Sequence, residues 1–214
     1  MPDMIVTRWW WIRHAPVVDA QFGRLSGQAD VDADLSDLES FTRLGPELPN
    51  DALWIVSTLK RTEQTAEALC QAAYLNIEAV REASFSEQAF GDWTNKTWDE
   101  VGIGEDAQAF WNDPAGARPP GAPSESFEDL YCRVAPRIDQ LTFEHGGRDI
   151  VCIAHAGSIR AAIALALNLT PEQALGIDVK NTALTRLDFI STEPKVLGLG
   201  RWRVIGLNQF GDPQ

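Results

Sequence analysis

The stretch MIVTRWWWI, residues 4–12, consists mainly of β-branched and aromatic residues and is too short for a typical helix. We predict that it forms a β-strand buried on at least part of both faces, with the three tryptophans at 9–11 filling those faces. Arg13 and His14 follow directly. Heavy packing of the strand would give rigid support to the dipeptide at its carboxyl end.

Two other segments repeat this arrangement. ALWIVS (52–57) and DIVCIA (149–154) are predicted to be buried strands, and helices are predicted after them at 61–74 and 157–167. Strands that alternate with helices favour an α/β fold. We therefore predict a three-layer sandwich in which helices flank a largely parallel central sheet.

The remaining pattern adds weaker elements. A long helix is expected to begin at Ser124 or Glu125 and to end near His145, because Gly146 and Gly147 follow at the C-cap position. Further predictions are a helix at 35–44, a strand at 76–85, a short helix after Pro171, and two terminal strands at 182–190 and 200–208 that form a hairpin or lie side by side at an edge.

Residues 86–124 are irregular, rich in aromatic residues at first and in proline and glycine towards the end. This segment is too short and too polar to form an independent domain. We interpret it as a lid-like excursion from a single domain that spans residues 1–214.

Composition narrows the class of protein. The chain has 214 residues, 44% hydrophobic and 23% charged, which is ordinary for a globular domain. Its formal net charge of −13 disfavours binding to nucleic acid or to an anionic membrane, so an anionic ligand would need a local positive pocket. The sequence lacks a secretory signal pattern and a run of about 20 apolar residues. We expect a cytoplasmic protein whose three cysteines are reduced.

Each of the three strong strand predictions leads into a group suited to phosphate chemistry. Arg13 and His14 follow the first strand, Arg61 the second and His155 the third. Ligands of such folds bind outside the carboxyl ends of the strands, so these residues are expected to converge. Arginine binds phosphate oxygens in a bidentate manner, and a neutral imidazole can attack phosphorus. The cluster therefore predicts phosphoryl chemistry.

A leaving alkoxide also needs a proton donor. An acid whose pKa is raised by burial near aromatic residues would serve, and Glu82 and Glu87 are the nearest candidates along the chain.

Five motifs of the sequence together resemble a known family. The matching motifs are RH (13–14), STLKRTEQTAEAL (57–69), SEQAFGDW (86–93), SESFEDLYCRV (124–134) and AHAGSIRA (154–161). In this order, across about residues 5–190, they are similar to the histidine phosphatase superfamily, also called phosphoglycerate mutase-like. The resemblance implies a phosphoglycerate mutase-like fold and an enzyme that uses neither a metal nor another cofactor.

The resemblance also implies roles for individual residues. His14 corresponds to the nucleophile that becomes phosphohistidine, while Arg13, Arg61 and His155 correspond to the groups that hold the phosphate. Glu87 matches the glutamate that precedes the family's FG.W motif and would be the general acid.

Four further residues are candidates for the substrate pocket. Glu125 and Ser126 match a Glu-Ser pair at the start of the family's long helix, where a helix cap and a pocket-rim role are both open. Phe90 and Trp93 belong to the aromatic set of the excursion, most of which is expected to form the core of the lid.

The sequence departs from the commonest form of the family at its first motif. Ala15, Pro16 and Val17 stand where Gly, Glu and Thr are usual, Ala20 takes an Asn position, and Ala156 replaces a Gly after the second histidine. The missing Asn weakens a mutase assignment. The form RHAPV…GRLSGQADVDADLS is more similar to the α-ribazole phosphatase-like branch.

These observations predict a phosphatase for a small phosphorylated metabolite, such as α-ribazole 5'-phosphate or a related compound. The alternatives are a phosphoglycerate mutase-type phosphotransferase and a weakly catalytic domain that binds a phosphorylated ligand. Neither nucleic acid nor a membrane is expected as a partner, and a homodimer is left open.

Overall fold

The computed structural model of the protein describes residues 4–18, 23–192 and 200–211. Within this part of the chain, six strands form one sheet. They are β1 (Ile5–Arg13), β2 (Leu53–Val56), β3 (Val80–Arg81), β4 (Asp149–Ala154), β5 (Leu184–Ser191) and β6 (Arg201–Gln209). Their order across the sheet is β3-β2-β4-β1-β5-β6.

The sheet is largely parallel, as predicted. β1, β4, β2 and β3 pair in parallel, whereas β5 runs antiparallel to β1 and β6 antiparallel to β5. In the pairing of β1 with β4, Arg13 lies opposite Ala154. The two strands therefore end side by side, which brings the residues that follow them to one edge of the sheet.

The described residues form seven α-helices. They are α1 (Leu38–Leu44), α2 (Lys60–Ala72), α3 (Trp98–Val101), α4 (Glu105–Asn112), α5 (Phe127–Glu144), α6 (Ala156–Leu167) and α7 (Pro171–Leu175). One buried cluster packs α5, α6 and α7 on one face, and a second packs α1 and α2 on the other, so the three-layer prediction is confirmed. None of the helices in the described ranges is long and apolar enough to cross a membrane.

The tryptophan run fills both faces of β1, as the alternation of a strand requires. Trp9 and Trp11 are fully buried against the α5 and α6 layer and stack with ring centroids 5.0 Å apart. Trp10 packs on the opposite face, where its Nε1 donates to Asp149 and the Arg186 guanidinium lies 3.9 Å from its ring. The strand that precedes His14 is thus held from both sides.

The strand predicted at 76–85 is mostly wrong, since only Val80 and Arg81 pair with the sheet. β3 is an edge strand with both residues exposed, so little burial favours its extension. Just beyond it, the Glu82 carboxylate accepts from the Ser84 N–H and starts a single 3₁₀ turn at Ala83–Phe85.

Phe85 joins the excursion to β1. Its ring packs edge-on against Trp9 and Trp11, at centroid distances of 6.2 and 5.1 Å, and its carbonyl accepts from the Ser158 hydroxyl. The excursion then forms α3 and α4 around its own aromatic cluster. Its ends are closed by a backbone bridge between Phe90 and Ser124.

The other sequence predictions need small changes. The long helix begins at Phe127, because Ser126 is its N-cap and forms a reciprocal capping box with Asp129. The two terminal strands pair antiparallel, as predicted, and the turn expected between them falls at 193–199, outside the described residues.

Candidate active site

The four residues predicted to converge meet at the carboxyl ends of β1, β2 and β4. His14 follows β1, Arg61 lies in the first turn of α2 after β2, and His155 follows β4. The rings of His14 and His155 have centroids 5.0 Å apart, and Nε of Arg61 donates to Nε2 of His14 over 3.3 Å. Arg13 is the last residue of β1. The strand ends therefore assemble one cationic cluster.

His14 is held in one tautomer. Its Nδ1 lies 2.6 Å from the carbonyl oxygen of Ala15, which can only accept, so Nδ1 carries the proton. Nε2 is then left with a lone pair, towards which Arg61 points its Nε–H. The backbone is fixed as well, because the His14 N–H donates to the Ala154 carbonyl and the His14 carbonyl accepts from Nδ2 of Asn181. This is the state that a nucleophilic imidazole needs.

The Arg61 side chain is almost fully buried and uses all three of its nitrogens. Besides His14, it donates to the carbonyl oxygens of Ala29 over 2.7 Å and Gly27 over 2.6 Å. The guanidinium thus ties the imidazole to the loop at 23–29 and cannot rotate without breaking several bonds.

Arg13 and His155 each carry a buried polar atom with no partner among the described residues. These atoms are Nε of Arg13 and Nδ1 of His155. The other ends of the two side chains are held, since Arg13 donates to the Val179 carbonyl over 2.5 Å and Nε2 of His155 is hydrogen-bonded to the Ser57 hydroxyl over 2.7 Å. Buried polar atoms are normally paired, so the two atoms are suited to receive a ligand.

Burial sets the charge state of the cluster. Burial lowers the pKa of His14 well below its ordinary value, and the nearby Arg61 and Arg13 charges lower it further. The pKa of His155 is also well below its ordinary value, again through burial first and then through His14 and the two arginines. Both imidazoles are therefore neutral at neutral pH, whereas Arg13 and Arg61 stay charged although burial lowers their pKa values.

Glu87 is the carboxylate that accompanies this cluster. It is half-buried, and its Oε1 accepts from the backbone N–H of Gly157 over 3.2 Å and from that of Gln88 over 3.0 Å. Gly157 lies in the first turn of α6, where backbone N–H groups favour an anion. The other acid considered, Glu82, instead pairs with Arg137 and caps a turn.

Arg13, His14, Arg61 and Glu87 line a cavity of about 400 Å³, whereas His155 is fully buried and does not line it. Its polar part is formed by Arg13, His14, Arg61, Glu87 and Asn181, and its remaining wall includes Pro16, Val17, Arg24, Leu25, Phe90 and Trp98. A larger cavity of about 600 Å³ lies beside α2 and β3 and contains none of the four clustered residues. Across residues 4–18, 23–192 and 200–211, no group of three or more His, Cys, Asp or Glu side chains is arranged to hold a metal ion.

Three of the four predicted pocket residues lie elsewhere. Trp93 is only 4% exposed and packs in the core of the excursion, and Trp98 lines the cavity in its place. Glu125 binds Arg133 and the Ala89 N–H, while Ser126 caps α5. Phe90 does line the cavity.

Asn181 is the site residue that sequence reasoning missed. It lies in the loop between α7 and β5, and its amide donates to the His14 carbonyl over 2.8 Å. This contact could not be predicted from the sequence, because Asn181 belongs to no recognisable motif and its partner is 167 positions away.

Comparison with known proteins identifies a family. Residues 9–201 match the model of the histidine phosphatase superfamily (branch 1). A 2,3-bisphosphoglycerate-dependent phosphoglycerate mutase from Brucella anthropi is 30% identical over 124 residues, which cover 56% of this chain and 59% of the mutase. The matched region is thus less than two thirds of that relative.

Two other proteins match over a larger share. Phosphoserine phosphatase 1 from Hydrogenobacter thermophilus is 27% identical over 154 residues, covering 70% of this chain and 71% of that protein. The crystal structure of the α-ribazole phosphatase from Shigella flexneri superposes with a TM-score of 0.77 at 23% identity, covering 95% of this chain and 97% of the other. The structural match shows a shared fold.

Proposed function

The chain belongs to branch 1 of the histidine phosphatase superfamily, and we propose that it is a phosphatase that hydrolyses a small phosphomonoester through a phosphohistidine on His14. One observation carries the proposal. The Nε2 lone pair of a neutral, buried His14 faces a buried arginine in a cavity that also contains a carboxylate, Glu87.

In the first step, Nε2 of His14 attacks phosphorus in line with the ester oxygen. The P–N bond forms and the P–O bond to the alcohol breaks. Glu87, which takes up the proton of the phosphate monoanion as the ester binds, passes that proton to the leaving oxygen. Arg13, Arg61 and His155 bind the non-bridging oxygens, and the unpartnered Nε of Arg13 and Nδ1 of His155 are available for this. The Nε–H of Arg61 exchanges its bond to Nε2 of His14 for one to the phosphate, which frees the Nε2 lone pair for attack.

In the second step, water attacks the phosphohistidine. Glu87, now a carboxylate, takes the proton from the water, the P–N bond breaks, and inorganic phosphate leaves. His14 returns to its neutral form with the proton still on Nδ1. The positive charge that a metal supplies in other phosphatases comes here from two arginines, so we propose that neither a metal nor another cofactor is needed.

Two observations favour hydrolysis over the alternatives. Pro16 and Val17, which replace polar residues of the commonest family motif, line the cavity and offer no hydrogen-bond donor from their side chains to a second phosphate. Ala20, at the family's Asn position, lies outside the described residues. Glu87 argues against a domain that only binds, because a carboxylate beside a phosphate site opposes anion binding unless it takes part in proton transfer.

Hydrolysis of p-nitrophenyl phosphate in the presence of EDTA tests the proposal. We expect turnover to survive chelation and to fall by about a thousandfold or more in His14→Ala, while His145→Ala, at the end of α5, keeps the rate of the parent protein. Quenching in alkaline detergent should trap a phosphoryl group on His14 that survives base and is released by acid.

Loss of turnover on chelation, or label on another residue, would overturn the mechanism. With 2,3-bisphosphoglycerate present, the protein could interconvert 2- and 3-phosphoglycerate faster than it hydrolyses them. That result would show a mutase instead.

A further inference from the structure

Away from its cationic end, the cavity has a largely apolar wall. Pro16, Val17, Leu25, Phe90 and Trp98 belong to this wall. Trp98 is 38% exposed, which is unusual for an indole that is otherwise surrounded by aromatic rings. An aromatic surface is thus presented in the same cavity as the proposed phosphate site.

The Trp98 ring is held in place by its neighbours within the excursion. Trp93, Phe110 and Trp111 pack around it at centroid distances of 6.3, 5.8 and 5.0 Å. Trp93 and Phe110 are buried, so they form a fixed support. The Trp98 side chain is therefore already ordered, and it loses little conformational entropy when a ligand binds to its exposed face.

Phe90 is fixed in a different way. A Cβ on Gly27 would lie only 3.0 Å from Cδ2 of Phe90, so the Phe90 ring lies closely against the Gly27 backbone. The carbonyl of the same glycine accepts from Arg61. The aromatic wall and the phosphate-binding guanidinium therefore share one loop, which sets their separation.

The charges of the wall argue against an acidic leaving group. In the described part of the lining, Arg24 is the cation outside the phosphate cluster, and its Nη1 donates to Glu100 over 2.8 Å and to the Asn95 carbonyl over 2.6 Å. Its charge is already compensated by Glu100. A carboxylate on the leaving group would gain little there and would lie in the same cavity as Glu87.

We propose that Trp98 and Phe90 form a stacking subsite for an aromatic ring on the leaving group. The preferred substrates are then phosphomonoesters that carry such a ring, rather than carboxylated esters such as phosphoserine. This inference rests on the proposed phosphatase function. The cavity, of about 400 Å³, has room for a phosphate together with a ring.

A matched pair of substrates tests the subsite. Benzyl phosphate and cyclohexylmethyl phosphate are similar in size and have alcohols of similar acidity, but only the first has a flat ring. We expect kcat/KM to favour benzyl phosphate about fivefold, the range given by aromatic pairing, and to be lowest for phosphoserine.

Trp98→Leu should remove most of this preference by raising KM for benzyl phosphate about fivefold, while cyclohexylmethyl phosphate and phosphoserine change less than twofold. Phe90→Leu should act in the same direction. Trp202→Leu is the matched control, because Trp202 is a partly buried indole of β6 that packs on Phe189 and does not line the cavity. Thermal unfolding of each variant shows whether the excursion remains folded.

Equal kcat/KM for the ring pair in the parent protein would overturn the subsite, as would an equal loss for all three esters in Trp98→Leu. Absence of any His14-dependent turnover would instead contradict the proposed function. Calorimetric binding of benzylphosphonate and cyclohexylmethylphosphonate, which are not hydrolysed, then still tests the subsite, and equal affinities would reject it.

Discussion

Nε of Arg61 donates to Nε2 of His14 over 3.3 Å, and the same guanidinium donates to two carbonyls of the loop at 23–29. One side chain therefore positions the nucleophile and the loop that forms the cavity wall. A lysine has a single nitrogen on a flexible stem and cannot reproduce these three directions.

We expect Arg61→Lys to lower kcat/KM for p-nitrophenyl phosphate by about a hundredfold or more, since a preorganised phosphate donor is lost. Steady-state kinetics measure the change. Arg81→Lys is the control, because Arg81 is exposed and pairs with Glu63 at the surface. A loss of less than about threefold in Arg61→Lys would contradict the role given to Arg61.

Asn181→Ala should lower kcat about tenfold with little change in KM. The His14 carbonyl loses a donor, and the imidazole on the same residue is less well aimed, whereas contacts to the ester are kept. The exposed Asn112 at the end of α4 gives a control in Asn112→Ala. A change in KM alone would show that Asn181 acts on the substrate instead.

Gly157→Ala should displace the proposed proton donor. A Cβ at this position would lie 2.4 Å from Oε1 of Glu87 and 2.8 Å from a methyl of Leu130. Because an alkoxide needs protonation more than p-nitrophenolate does, kcat for benzyl phosphate should fall about a hundredfold and that for p-nitrophenyl phosphate less than tenfold.

Gly104→Ala is the matched control, since a Cβ there meets no atom within 4 Å. Equal losses for the two esters in Gly157→Ala would mean that the substitution disturbs the site as a whole rather than the proton transfer.

The buried histidines should make stability depend on pH. Their folded pKa values lie well below the unfolded value near 6.5, so the unfolded chain binds more protons below that pH. The free energy of unfolding is therefore highest above about pH 6.5 and falls as the pH drops towards the folded pKa values, with each histidine contributing up to about 1.4 kcal/mol per pH unit.

Urea unfolding at a series of pH values measures this dependence. His155→Asn should reduce the slope of the unfolding free energy against pH by up to about 1.4 kcal/mol per pH unit, the value for one proton. His145 is less buried and its pKa is lowered to a smaller extent, so His145→Asn should reduce the slope less. An unchanged pH dependence in His155→Asn would show that His155 is not buried in its neutral form.

Trp11→Ala should cost about 3–5 kcal/mol in the free energy of unfolding, the usual range for a fully buried tryptophan. It removes one member of the stack with Trp9 and the support of Phe85. Trp111→Ala, at a position that is 61% exposed, should cost less than about 1 kcal/mol by the same urea measurement. Similar costs for both would contradict the packing role of the tryptophan run.

The strands that precede the two histidines were predictable, because a run of buried apolar residues is visible in the sequence itself. β1 and β4 are short apolar runs within one sheet, and strands of this kind are recognisable from side-chain pattern alone. Once they are parallel neighbours, their carboxyl ends must meet, and His14 and His155 come together without further information.

The wall of the cavity was not predictable in the same way. Trp93 and Trp98 belong to the same irregular segment, and which of them lines the cavity depends on how α3 and α4 pack against each other. Asn181 is a similar case. The next residue, Thr182, adopts a left-handed backbone with φ of 54° and donates its N–H to the Arg13 carbonyl, a conformation that a β-branched residue does not suggest.

The excursion enters and leaves the domain at one place. Phe90 pairs with Ser124 there, the Glu125 N–H donates to the Ala89 carbonyl, and Glu87 lies before this junction. A different segment between residues 90 and 124 would alter the surface offered to the alcohol while leaving the strands and the proposed proton donor in place. In evolutionary terms, such a layout lets insertions and deletions diversify ester preference among descendants without rebuilding the reaction centre, and it makes this segment the natural unit to transplant in engineered chimaeras.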